Sequence, residues 1–171
     1  MRKQWLSTVA ALGLLVWFTG TSADDDCSNA SPEEARALAH KAADLLEQVG
    51  PEKAFPSFMD PHGDFFPRDL YVFVIDFDGL MWVNGAFPQA IGSNALGAQD
   101  EKGRHYIEEM LRIAHEQGEG QIEYMWVNPC TREYTDKLTF FKRVGRFVVA
   151  VGAYRTVRMR TAAIEVRAFR G

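Results

Sequence analysis

Three strand-forming runs follow one another near the C-terminal end of the chain: Gln121 to Val127, Lys137 to Val144 and Arg146 to Tyr154. Gly145 alone separates the second from the third. That leaves room for a tight hairpin and little else, so the runs are expected to form a three-stranded antiparallel unit. Upstream, Leu70 to Asp76 reads as a buried strand and Leu80 to Asn84 as its partner, with Asp78-Gly79 as a strong turn signal between them.

Helical patterns flank these strands. Ser31-Pro32-Glu33-Glu34 is a capping box with proline at the first helical position. Apolar residues then recur at helical spacing from Ala35 to Val49, until Gly50 stops them. A second, short helix is expected from about Glu52 to Met59, with Pro56 interrupting it. A third carries Tyr106, Ile107, Met110, Leu111 and Ala114 and ends at Gly118. Between hairpin and third helix lies a loop rich in Gly, Pro and Asn, from Gly85 to Gly97. The order, helix, hairpin, helix and then a three-stranded antiparallel run, is that of an α+β domain with one mixed-face sheet.

Strand alternation puts Ile122, Tyr124, Trp126 and Asn128 on one face of their strand. If that strand pairs with the one carrying Lys137, two aromatics, a carboxamide and a cation line a common wall. Phenol and indole can donate hydrogen bonds inward while their rings exclude water, which suits a small anion. The plainer reading is that Tyr124 and Trp126 are core and that Lys137 is a solvated charge paired with Asp136 or Glu133.

The ends of the chain differ from this body. Arg2 and Lys3, the apolar stretch Val9 to Phe18 and the small residues Thr21-Ser22-Ala23 form the pattern of a secretory signal peptide over residues 1–23. A retained anchor competes with cleavage, but the apolar stretch is shorter than the roughly 20 residues of a spanning helix. Between Asp24 and Tyr154 there are 12 Lys and Arg against 22 Asp and Glu, a side-chain charge of −10, which argues against nucleic acid as a partner. Residues 155–171 reverse the balance, with five Arg against one Glu. This tail is read as a solvated extension, with docking on an acidic partner or lipid as the alternative.

Export would leave Cys27 and Cys130 in an oxidising compartment, where a disulfide between them is expected. On the loop-entropy model such a long loop is worth up to roughly 4 to 5 kcal/mol. No Cys or His pair stands at metal-ligand spacing, so no metal is expected.

The series Asp69 to Gly79, Phe87-Pro88, Ile91-Gly92, Asp100 to Gly103, Gly118 to Gly120, Tyr124 to Pro129, Lys137 and Val151 to Tyr154 resembles a single Cache domain, over about residues 31–154. The resemblance implies a PAS-like antiparallel sheet with a long N-terminal helix and flanking helices. It implies an extracytoplasmic, periplasmic or secreted sensor of small molecules, often organic acids, with no cofactor. Relatives are usually tethered to a kinase or chemoreceptor, so a membrane kinase, chemoreceptor or transporter is the expected partner; this chain resembles the sensor without a transmitter. Lys137, Tyr124 and Trp126 match ligand positions of the family, with Tyr71 and Asn84 as further candidates. Phe140 stands where a tyrosine is common and Phe87 where the residue is usually smaller, and both are expected to make the cavity more apolar.

Two other classes of function remain open. A periplasmic enzyme could use His105 with Glu108 or Glu109, although no serine or cysteine nucleophile accompanies them. An interaction module could instead use the Arg-rich tail.

Overall fold

The structure, a computed structural model, describes residues 28–155. The leader pattern, Cys27 and the tail beyond Arg155 lie outside the described residues. Helix α1 (Pro32–Val49) opens with both halves of the capping box: the Glu34 amide donates to Ser31 Oγ at 3.2 Å, and the Ser31 amide donates to Glu34 Oε2 at 2.7 Å. Hydrogen bonding from the Arg68 side chain, with help from the Ser31 amide, pulls the Glu34 carboxyl down to about 2. Ser31→Ala removes one acceptor from the first turn and should cost about 1 kcal/mol in urea unfolding.

Gly50, at φ 76, turns the chain into α2 (Pro51–Met59). This helix runs through Pro56 rather than being interrupted by it. Pro56 and Glu52 are both exposed, so the carbonyl that loses its partner can be hydrated.

Strands β1 (Val72–Asp76) and β2 (Met81–Asn84) form the expected hairpin around Gly79, at φ 80. The buried Asp76 carboxylate fastens it, accepting from the amides of Asp78 and Leu80, from Trp82 Nε1 at 2.8 Å and from Arg146 Nη2 at 2.8 Å. Burial pushes this carboxyl up, but those four donors together hold it below the ordinary carboxylate value. A single 3-10 turn at Pro88–Ala90 breaks the following loop, and α3 (Tyr106–Gln117) ends at Gly118. Strands β3 (Glu119–Val127), β4 (Tyr134–Val144) and β5 (Phe147–Tyr154) then complete one antiparallel sheet.

The strand order is β2-β1-β5-β4-β3, so the last strand in sequence lies in the middle. β5 joins the early hairpin to the late three-stranded run, pairing Phe73 with Ala150 on one side and Phe141 with Ala150 on the other. Alternation along the strands separates two cores. Val72, Val74, Val149, Val151 and Phe140 pack under α1 and α2. Tyr71, Phe73, Ile75, Tyr124, Phe141 and Val148 face α3 and the 85–98 loop. No helix among the described residues is long and apolar enough to cross a membrane.

Candidate functional site

The second face of the sheet carries a cavity of about 190 Å³ between β1, β2, β3, the start of α3 and the loop covering them. The loop is stitched to β2: the Met81 amide donates to the Ser93 carbonyl at 3.0 Å and the Gly92 amide to the Met81 carbonyl at 2.8 Å. Ser93 Oγ, donating to the Ala90 carbonyl at 2.7 Å, and Asn94 Nδ2, donating to the Asp78 carbonyl at 2.9 Å, hold its bends.

Of the five residues that the sequence singles out, Tyr71, Asn84, Tyr124 and Trp126 line this cavity. Cross-strand pairing explains the convergence. Tyr124 and Trp126 alternate inward on β3, while Asn84 stands opposite Phe73 in the hairpin. The Asn84 Oδ1 accepts from the Phe87 amide at 2.9 Å, which leaves its NH₂ group for a ligand. Tyr124 accepts from Thr139 Oγ1 at 3.2 Å, so its own hydroxyl proton remains available.

Lys137 is close by but does not reach the cavity. It is fully buried, neither solvated nor paired with Asp136 or Glu133; Asp136 instead engages Lys102 and Arg155. Its Nζ donates to the Tyr71 hydroxyl at 2.8 Å and lies 4.1 Å from the centroid of that ring, 5.0 Å from Tyr154 and 5.4 Å from Phe73. Tyr71 thus stands between the amine and the cavity. Its hydroxyl also lies 3.3 Å from that of Tyr154, which donates to the Val127 carbonyl at 3.0 Å. Burial drives the Lys137 ammonium well below the ordinary lysine value, and the field of Asp69 opposes this only in part.

Two further expectations need correction, and a third holds. Asn128 lies just beyond β3 and does not join the cavity; its Nδ2 donates to Asp69 Oδ2 at 3.4 Å and its Oδ1 accepts from the Cys130 and Thr131 amides. Phe140 points to the opposite face, where the Arg36 guanidinium lies 4.8 Å from its ring, so its replacement of a tyrosine does not alter the cavity. Phe87 does pack at the cavity, edge-on to Tyr71 and Trp126.

Sequence reasoning missed Tyr106. It stacks on Tyr124 with centroids 4.2 Å apart and planes 8° from parallel, and lies 5.7 Å from Trp126. Burial pushes its phenol up to about 12. Its place on the apolar stripe of α3 made it look like core, and only the fold brings that stripe against β3. Every side chain lining the cavity is uncharged: five aromatics, Asn84, Ser93 and Asn94 among aliphatic residues. The Lys137 amine lies one hydroxyl behind the wall. Such a chamber can hold a small molecule by stacking and directed hydrogen bonds.

The enzyme constellation does not assemble. His105 is partly exposed, with Nδ1 3.7 Å from a Glu108 oxygen, and Glu109 is held by Arg104 through two 2.8 Å bonds. None of the three lines the cavity. No group of three or more potential metal ligands occurs among the described residues. Cys130 is not a free thiol, but its expected partner Cys27 lies outside the described residues.

Comparison with known proteins agrees with this architecture. A methyl-accepting chemotaxis protein from Vibrio parahaemolyticus superposes with a TM-score of 0.62 at 20% identity, over 71% of this chain and 86% of the other. A Cache chemosensory domain, solved for the structural basis of its carboxylic acid recognition, gives 0.61 at 18% identity, over 71% and 91%. The sensor histidine kinase MctS of Rhizobium johnstonii is 33% identical over 91 residues, 52% of this chain. This chain spans only 20% of that kinase's length. The profile of the Single Cache domain 2 family matches residues 21–158, most of the chain, and the protein belongs to that family.

Proposed function

We propose that this protein is an extracytoplasmic sensor domain that binds a small organic acid in the chamber between β1, β2, β3 and α3 and passes its occupancy to a partner. The carrying observation is the chamber itself, where hydrogen-bond donors on Tyr124 and Asn84 and the ring of Trp126 border an uncharged aromatic space with Lys137 directly behind it. Carboxylic acid recognition by a structurally similar Cache domain and sequence similarity to a sensor kinase support the reading. Binding is the whole of its chemistry, with a membrane kinase, chemoreceptor or transporter as the receiving protein.

Residues 31–154 would constitute the sensor, residues 1–23 the export signal and residues 155–171 a basic extension. A Cys27–Cys130 bridge would tie the entry of α1 to the loop after β3. Non-reducing peptide mapping of the exported protein should recover that linked pair, and two free thiols would refute it.

A thermal-shift screen of organic acids tests the binding reading. At least one acid should raise the midpoint, and Trp126→Ala or Tyr124→Ala should weaken it by about tenfold or more, in keeping with loss of a packed aromatic contact. A screen without a stabilising acid, or affinities untouched by both substitutions, would overturn the proposal.

A further inference from the structure

We propose that acid binding carries a proton into the domain: Lys137 is an uncharged amine while the chamber is empty and becomes an ammonium when an anion occupies it. The inference rests on the organic-acid reading of the chamber and adds its regulation, since the domain would then read acid concentration and pH together.

The geometry of the amine carries it. Lys137 has no exposed surface, and Gly152 lies against its stem so closely that the side chain has no path to solvent on that side. Among the described residues Lys137 forms no ion pair. Its surroundings are three aromatic rings and one phenol oxygen.

The groups facing it can be taken element by element. The residue before β1 is Tyr71, β3 contributes Tyr124, β5 Tyr154 and α3 Tyr106, and burial raises every one of these phenols, so none supplies negative charge near neutral pH. The remaining charged neighbour is Asp69, just before β1. Its oxygens are already engaged by the Ala30 amide at 2.8 Å and by Asn128, and burial raises its carboxyl too. An isolated ammonium in such a place is costly, and the amine is the stable form.

An acid anion held by Tyr124 and Asn84 against the Trp126 ring would sit across Tyr71 from the amine and supply the missing charge. One proton from solvent hydronium then adds to the Nζ lone pair, forming one N–H bond as one O–H bond of the hydronium breaks and water is left. Binding and protonation favour each other, so over the pH range between the empty and the loaded amine the affinity should fall by about tenfold per pH unit as pH rises.

The test uses the full chain with acetate, lactate and succinate as probes. In the empty protein at neutral pH, the ¹³Cε resonance of Lys137 should have the shift of a free amine, and a bound acid should move it to that of an ammonium. Calorimetry in buffers of different ionisation enthalpy should show uptake approaching one proton per acid bound. Lys137→Met should abolish that uptake and weaken binding by more than about tenfold while the protein keeps its fold. An ammonium resonance in the empty protein, or binding without proton uptake, would overturn this inference and leave the organic-acid reading standing. If none of the three acids binds, and the wider screen finds none, both fall together.

Discussion

Gly152→Ala should destabilise the domain by about 3 kcal/mol or more in urea unfolding, because the added methyl lands inside occupied space. Its Cβ would meet Lys137 Cε at 2.3 Å and Thr139 Oγ1 at 2.4 Å. Gly152 faces Thr139 across the β4–β5 ladder, and Lys137 pairs with Tyr154 one step along the same face. A flexible lysine at a surface would swing away at little cost. This one is enclosed by Tyr71, Phe73 and Tyr154, and any displacement breaks its bond to Tyr71. Lys137→Ala in the Gly152→Ala background should therefore recover part of the loss, leaving the contact with Thr139. Equal stabilities for Gly152→Ala and the parent would show that the amine has another place to go.

Asp69→Ala should cost about 2 to 4 kcal/mol, since it leaves a buried backbone donor without an acceptor. Asp69 has no exposed surface; its Oδ1 accepts from the Ala30 amide at 2.8 Å, fastening the approach to α1, and its Oδ2 accepts from Asn128 at 3.4 Å. Asn128 in turn holds the Cys130 and Thr131 amides, so one carboxylate joins the chain before α1 to the loop after β3. Asp69→Asn keeps an acceptor for Ala30 and should lose less. It also tests a pH effect. Burial raises the Asp69 carboxyl, so the native state binds this proton more tightly than the unfolded chain. The stability from this group is present below the ordinary carboxylate value and declines as pH rises through the raised one. Asp69→Asn should flatten that part of the profile. Lys137 has the opposite sense: its lowered value makes the unfolded chain the better proton binder, so stability rises with pH up to the ordinary lysine range.

Much of the fold was legible along the chain because its signals are local. The Ser31 capping box, Gly79, Gly118 and Gly145 mark boundaries through backbone geometry that a few neighbouring residues decide. Strand period alone placed Ile122, Tyr124 and Trp126 on one face, and the structure puts all three on the same core. The same reasoning failed for Asn128, because the period holds only while the strand lasts and β3 ends at Val127. The resemblance, not the strand period, misplaced Phe140, whose neighbours Thr139 and Phe141 are the ones that face the chamber side.

The α+β class, the hairpins and the inward aromatics of β3 are set by interactions within a few residues and are therefore legible in the chain. The position of β5 at the centre of the sheet, joining two hairpins that the chain separates by α3, arises only from long-range pairing. From that one pairing follows the surrounding of Lys137, since Tyr71 comes from before β1 and Gly152 and Tyr154 from β5. Tyr106 becomes a wall of the chamber for the same reason, when α3 folds back over β3. Whether a lysine is a solvated charge or a buried amine depends on what the rest of the molecule removes from around it, and desolvation is a property of the assembled fold.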